Sequence, residues 1–456
     1  MGLGSYFLMI NASPWTLSKI PGSSRQYQMN TWKWPDTFVS GAVTRVYIES
    51  EAGPFGQDDG AEINYHVGRG SGSNFQVAYH DHKDADPTIT IDWQSFGTLN
   101  NPIGSTTQLQ WGKNNNSPFF ISSRRTNTDP ASSLVVSNDP PTSWMSSIYR
   151  QISCLTLREI AMPGSHDAGI SEFNEGAGGA IALNTVTQKL KIGDQLKYGS
   201  RYFDIRPVIS GGKWKTGHYG YGAGSWHGGN GQDMRSIIDQ INAFTSTNKE
   251  LVVLYLSHGL DTDHWGGERD SGLTQAKWDE LFGGLINPTS GIKNRLTGIG
   301  GIKDVTTLRL NQLITNSATV IIVVDDVTKD GSRVDTTRFA DQGIFRASQF
   351  PRFDSYSDQN VQDKMIDDQL SKLKAKRTSP TSDMFVLSWT LTQGTNNLLE
   401  SIVSNGEGAN RALPELLWPA MSARTYPNVL YVDAYPANGD IAALAMAINL
   451  WHTRTC

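Results

Sequence analysis

The sequence predicts two structural parts, an N-terminal all-β sandwich-like domain and a (β/α)8 barrel. Three observations lead there. Up to about residue 123, short alternating segments recur between clusters of Gly, Asn, Asp and Pro, and helical periodicity is nearly absent. After about residue 145, apolar runs of strand length alternate with helical patterns. The stretch between them, RRTNTDPASSLVVSNDPPT, is polar and rich in turn formers. The expected partition is 1–123 for the β domain, 124–145 for a linker and 146–456 for the barrel.

The β segments fall at 6–10, 43–49, 62–67, 75–79, 88–93 and 108–111, a spacing that suits antiparallel sheets. Barrel strands are expected at 157–162, 201–206, 215–219, 251–257, 319–324, 343–347, 384–390 and 429–434. Several are continuous apolar runs, as parallel strands covered on both faces should be. Helical patterns at 234–244 and 361–373 lie between them. Eight β-then-α units over roughly 300 residues fit the barrel.

Composition narrows the classes. Of 456 residues only 18% are charged, and 13 Trp, 15 Tyr and 16 Phe supply a core, which excludes a disordered chain. A net charge of -5 argues against phosphate-backbone binding, so no nucleic-acid partner is expected. No stretch approaches the roughly 18 apolar residues of a membrane span. The N-terminal MGLGSYFLMINASPW does not read as a signal peptide. The expectation is a soluble monomer, cytoplasmic or unconventionally secreted, unless a leader was removed. Cys154 and Cys456 are read as two thiols, with a bridge between them left open. His80 and His82 flank Asp81 in YHDHKD, but no third ligand is evident and no metal is expected there. Two sequons, at Asn11 and Asn115, are short enough to arise by chance.

Functional groups of such a barrel gather at the C-terminal ends of its strands. The expected strand ends carry His166-Asp167, Asp204-Ile205-Arg206, His218, Ser257-His258, Asp325-Asp326 and Asp433. Each alone has an ordinary structural reading; their convergence is the signal. Two histidines and an arginine suit phosphodiester cleavage. One imidazole takes a proton from an attacking hydroxyl, the other protonates the leaving oxygen, and the guanidinium stabilises phosphate charge. Carboxylates beside the rings fix tautomer and orientation.

Residues from about 150 to 440 resemble the catalytic X-domain of the phosphatidylinositol-specific phospholipase C family. The likeness is carried by LREIAMPGSHDAG, GSRYFDIRP, TGHYGYG, KELVVLYLSH and NVLYVDAY. It implies that His166 is the general base, oriented by Asp433. His218 is the general acid, supported by Asp167, and Arg206 binds phosphate. It implies an inositol phospholipid substrate, cleaved to inositol 1,2-cyclic phosphate and diacylglycerol at a membrane surface. The arginine in place of a metal resembles the bacterial type, so no cofactor is expected. Asp363, in SDQNVQDK, and His258 match positions that bind the head group. Met365 stands where that pattern has Tyr, which leaves phosphatidylinositol and a glycosylated inositol lipid both open. Trp226 and Trp265 follow the third and fourth expected strands, and rim tryptophans can enter a lipid interface. The competing reading is a membrane- or glycan-binding protein whose barrel is a non-catalytic scaffold.

Overall fold

The computed structural model describes the chain apart from residues 1–2, 52–58, 69–71, 82–85, 113–114, 128, 131–132, 223 and 394–399. His82 thus lies outside the described residues, and His80 is exposed on its strand. The chain divides into two compact units. The first comprises Met1–Pro141, Arg411–Ala423 and Asn438–Thr453; the second comprises Thr142–Asn410, Arg424–Ala437 and Arg454–Cys456.

The first unit holds two sheets. One has the order Asn116–Ser122, Leu3–Ala12, Val43–Ser50, Met29–Trp32, with its first pair parallel. The other is antiparallel and runs Thr106–Leu109, Thr88–Asp92, Asn74–Asp81, Asp59–Val67, Leu17–Lys19, Thr37–Phe38. One apolar cluster draws on both sheets. The Phe119 ring of the first lies 5.5 Å from Phe75 and 5.9 Å from Trp93. Alternation turns Leu8 and Ile10 to the opposite face of their strand, yet both are buried. That face is covered by the helix Asp440–Trp451, which packs on Leu3–Ala12 and Asn116–Ser122. Residues 441–450 of this helix are all buried, as a helix apolar on every side must be.

Two expectations change here. The C-terminal helix belongs to the β unit rather than the barrel. Residues 124–141 belong to it as well: Val135 and Val136 are buried, and Val136 bridges Ser122. Polar neighbours hid that short apolar anchor. The first sequon is also closed, because Asn11 is buried and donates to the carbonyls of Trp15 and Phe38.

The second unit is built on eight strands in one sheet. Their order is Ile344–Arg346, Thr319–Val324, Leu251–Leu256, Tyr202–Ile205, Met162–Ser165, Val429–Val432, Met384–Trp389, Arg352–Asp354. Every neighbouring pair is parallel. This is sequence order taken around a ring, the curled parallel sheet of a TIM-like barrel. Among the described residues the ladder is interrupted between Ile344–Arg346 and Arg352–Asp354. Val252, Leu254 and Leu256 pair with Val320, Ile322 and Val324 and pack with Ile237 and Ile241 of helix Met234–Thr247. The intervening Val253, Tyr255, Ile321 and Val323 are buried on the other face. Burial on both faces is why these strands read as unbroken apolar runs.

The expected third strand, 215–219, is not a member of this sheet. It lies in Lys213–Gly222, within a separate sheet where it pairs antiparallel with Ser225–Asp233. The missing barrel strand is Arg352–Asp354, only three residues long and largely polar, with no periodicity to betray it.

Two fastenings hold the base of this unit. Arg201 and Glu250, each just before a strand, form a fully buried ion pair at 2.9 Å, and Glu250 also accepts the N–H groups of Met145 and Ser146. Cys154 and Cys456, whose pairing the sequence left open, form a disulfide, and Arg454 beside it pairs with Glu159 at 2.6 Å. Among the described residues no helix is long and apolar enough to cross a membrane.

Candidate active site

The strand ends of the curled sheet surround a cavity of about 650 Å³, within the range of small-ligand clefts. His166 follows the first strand directly, and its neighbour Asp167 adopts φ +41°, a left-handed backbone rare outside glycine. Asp433 follows the last strand, and the next residue, Ala434, has φ +48°. These paired turns bring the His166 Nδ1 within 2.8 Å of the Asp433 Oδ1. A carboxylate only accepts, so Nδ1 carries the hydrogen and the Nε2 lone pair is left for chemistry.

Arg206 comes from the end of the second strand. Its Nη2 lies 2.9 Å from the His166 Nε2, its Nε donates to Asp204 at 3.1 Å, and the guanidinium forms an ion pair with the Asp167 carboxylate. A guanidinium offers hydrogens alone, so this contact requires a bare Nε2 and agrees with the tautomer set by Asp433. Burial alone would lower the proton affinity of His166, but the charges of Asp433 and Asp167 outweigh it and raise its pKa to about 9. Nε2 is therefore an unusually basic lone pair. Burial opposes the charge on Asp204, yet Arg206, His166 and His258, with a 2.8 Å bond from the Tyr431 hydroxyl, hold it well below the usual carboxylate range.

His218 reaches the site from the hairpin, not from a barrel strand. The arm opposite it can approach because residue 228 is glycine: a Cβ there would lie 1.9 Å from the His218 carbonyl oxygen, and φ is +141°. The His218 Nδ1 lies 2.9 Å from the Thr185 carbonyl and so carries a hydrogen. Its Nε2 is 3.7 Å from the Asp167 Oδ2, which is 3.5 Å from the His166 Nε2. One fully buried carboxylate thus stands between the two imidazoles.

His258 also lines the cavity. Its Nδ1 is 2.8 Å from the Ser257 hydroxyl, which donates to Asp204, and its backbone φ is +53°. The Arg206 charge, then burial, lowers its pKa and favours the neutral ring. Asp363 is not part of the cavity wall. It lies exposed in the first turn of helix Gln362–Lys376. Asp354, at the end of the sixth strand, does line the cavity, with Arg352 and the exposed Tyr356. The Arg352 guanidinium sits 3.6 Å over the Tyr255 ring and pairs with Asp354. The charged alternation in RFDSY was the available signal for these residues, and it is slight.

His166, Asp167 and Asp204 bring ligand-type atoms within 4.8 Å of one another, a set able to hold a metal ion. The Arg206 guanidinium contacts all three.

No protein-family model matches the chain, and no curated protein does. Solved structures do. A double mutant of the phosphatidylinositol-specific phospholipase C from S. aureus is 18% identical, covers 69% of this chain and 97% of its own, and gives a TM-score of 0.47. The phosphatidylinositol-specific phospholipase C from Listeria monocytogenes is 13% identical, covers 67% and 98%, and gives 0.42. Another S. aureus structure, solved in work on membrane binding, is 17% identical, covers 68% and 97%, and gives 0.46.

Proposed function

We propose that this chain is a phosphodiesterase that cleaves phosphatidylinositol, or a glycosylated inositol lipid, by intramolecular attack. The supporting observation is the convergence of His166, Arg206 and His218 about one buried carboxylate at the cavity wall. The inositol 2-hydroxyl gives its proton to the His166 Nε2 as its oxygen bonds phosphorus. The bond from phosphorus to the diacylglycerol oxygen breaks, and the His218 Nε2–H supplies that oxygen with a proton. Because the His218 Nδ1 hydrogen is held by Thr185, this donor is the imidazolium, a charge that the Asp167 carboxylate supports. Arg206 stabilises charge on the non-bridging phosphate oxygens. The products are inositol 1,2-cyclic phosphate and diacylglycerol, and the tethered hydroxyl needs no protein nucleophile.

The reaction uses no metal in this reading. A guanidinium in contact with every member of the one metal-competent cluster among the described residues supplies positive charge there and repels a divalent cation. Asp354, Tyr356 and His258 line the part of the cavity left for the head group, the place first given to Asp363.

The test is release of water-soluble inositol phosphate from phosphatidylinositol vesicles in EDTA. Turnover should persist in the chelator and fall by about 10²–10⁴-fold in His166→Ala. Activity lost in EDTA and restored only by Ca²⁺ refutes the metal-free reading. No turnover of either inositol lipid class refutes the function.

A further inference from the structure

Between the first strand and the helix Ile192–Lys197 runs a segment with no titratable side chain: Thr185, Val186, Thr187, Gln188. Three of its four side chains, Thr185, Thr187 and Gln188, are fully buried. Its backbone N–H groups bond the Ala182 and Ile170 carbonyls and the Thr185 hydroxyl bonds Asn184, while the Gln188 amide, the Thr187 hydroxyl and two carbonyls go to the candidate site. The Gln188 amide donates to the His166 carbonyl at 2.7 Å and to the Val432 carbonyl at 3.1 Å, and its oxygen accepts the Tyr435 N–H at 2.9 Å. One side chain therefore ties the residue His166 itself to both flanks of Asp433. The Thr187 hydroxyl donates to the Asp167 carbonyl at 3.1 Å, and the Thr187 carbonyl accepts the Ala434 N–H at 2.8 Å. The Thr185 carbonyl holds the His218 Nδ1.

The two residues bonded to Thr187, Asp167 and Ala434, are those in left-handed backbone after His166 and after Asp433. Such conformations persist only where surrounding structure over-determines them. Asp204 accepts the Asp167 N–H and Asn410 donates to the Asp433 and Ala434 carbonyls, while the Thr185–Gln188 segment touches both turns and the second imidazole. The amide of Gln188 is suited to this place because it presents two hydrogens to two carbonyls and an oxygen to one N–H, which no aliphatic side chain can match.

We propose that Thr185–Gln188 is the positioning element of this site, with Gln188 and Thr187 as positioning residues that hold the His166–Asp433 pair and His218 in register. The inference rests on the phosphodiesterase reading for its kinetic consequence, while its structural consequence can be measured without substrate. Gln188→Leu keeps the bulk and removes three hydrogen bonds. Turnover of phosphatidylinositol should fall by about 10–100-fold, the usual result of a small misplacement of reacting groups. The change should lie in kcat, with KM moving less than about twofold. In the proton NMR spectrum, the low-field His166 Nδ1 resonance, identified by its loss in Asp433→Asn, should shift or vanish in the folded Gln188→Leu protein.

If Gln188→Leu does not fold, Thr187→Val and Thr187→Ser carry the same comparison: Val should weaken kcat and move the resonance, and Ser should restore both. A folded Gln188→Leu with unchanged kcat and resonance overturns the proposal, as does a Val variant indistinguishable from Ser. A resonance lost in Gln188→Leu, in a protein that turns over no inositol lipid, upholds the positioning element and refutes the reaction assigned to it.

Discussion

Asp433→Asn removes a buried charge and keeps its outline. In the native site the carboxylate accepts the His166 Nδ1–H at 2.8 Å and raises the basicity of the opposite nitrogen. The amide keeps one acceptor but loses the charge, and it can also turn a donor toward Nδ1, which selects the wrong tautomer. A hydrogen bond to a charged group contributes about 1.5–3 kcal/mol. At about 1.4 kcal/mol per decade this predicts a loss of about 10–150-fold in kcat/KM. The pH profile should move as well. His166 must be neutral to act as base, and with its pKa raised to about 9 the acid limb of kcat/KM for the free enzyme should rise toward that value. Without the Asp433 charge the limb should move to lower pH.

Stability follows the same linkage. The folded pKa of about 9 exceeds the ordinary imidazole value of about 6.5, so the protonated ring stabilises the fold by at most about 3 kcal/mol. That contribution is complete below about pH 6.5 and is lost as pH rises through about 9. Urea unfolding at the two ends of that window should therefore show a larger difference in the wild type than in Asp433→Asn. The assay is kcat/KM across this range for both proteins. A variant within about threefold of wild type at every pH, with an unmoved acid limb, refutes the assigned role of the pair.

Glu250→Ala should destabilise the barrel unit by about 3–5 kcal/mol, because it leaves the Arg201 charge buried without its partner; a change under about 1 kcal/mol in urea unfolding would contradict this. Trp265 is exposed, its ring 5.9 Å from that of Trp226, whose indole N–H bonds Ser271. Trp265→Ala should weaken vesicle binding and spare hydrolysis of a soluble inositol phosphodiester, whereas equal loss on both substrates would indicate a packing role. Cys456→Ser opens a disulfide that spans 302 residues and should cost about 2–5 kcal/mol, read as a lower Tm under non-reducing conditions.

The parts of the fold legible in the sequence are those whose pattern repeats locally. Strands such as Leu251–Leu256 and Thr319–Val324 show as apolar runs because both their faces are covered. Parallel strands also deliver their ends to one mouth, which is why the sequence alone groups His166, Arg206 and Asp433. His218 was found for a different reason than the true one: its segment reads as a strand, but an antiparallel hairpin brings it in. Asp354 stayed hidden because a three-residue strand, one aromatic between two charges, carries no period. The C-terminal helix Asp440–Trp451 is apolar on nearly every side, and such a pattern does not say which sheet covers it.

By itself, then, the sequence determined a β part, a parallel α/β part and the chemical identity of most of the candidate site, because strand periodicity and residue type are local properties. The tertiary structure alone decided that Cys154 meets Cys456, that helix 440–451 closes the β unit, that one Asp167 oxygen stands between two imidazoles, and that Thr185–Gln188 binds both sides of the His166–Asp433 pair. The last of these contacts are made by backbone carbonyls with a buried amide and a buried hydroxyl. No local spacing records them, since a carbonyl is the same in every residue and its partner is chosen only when the fold closes.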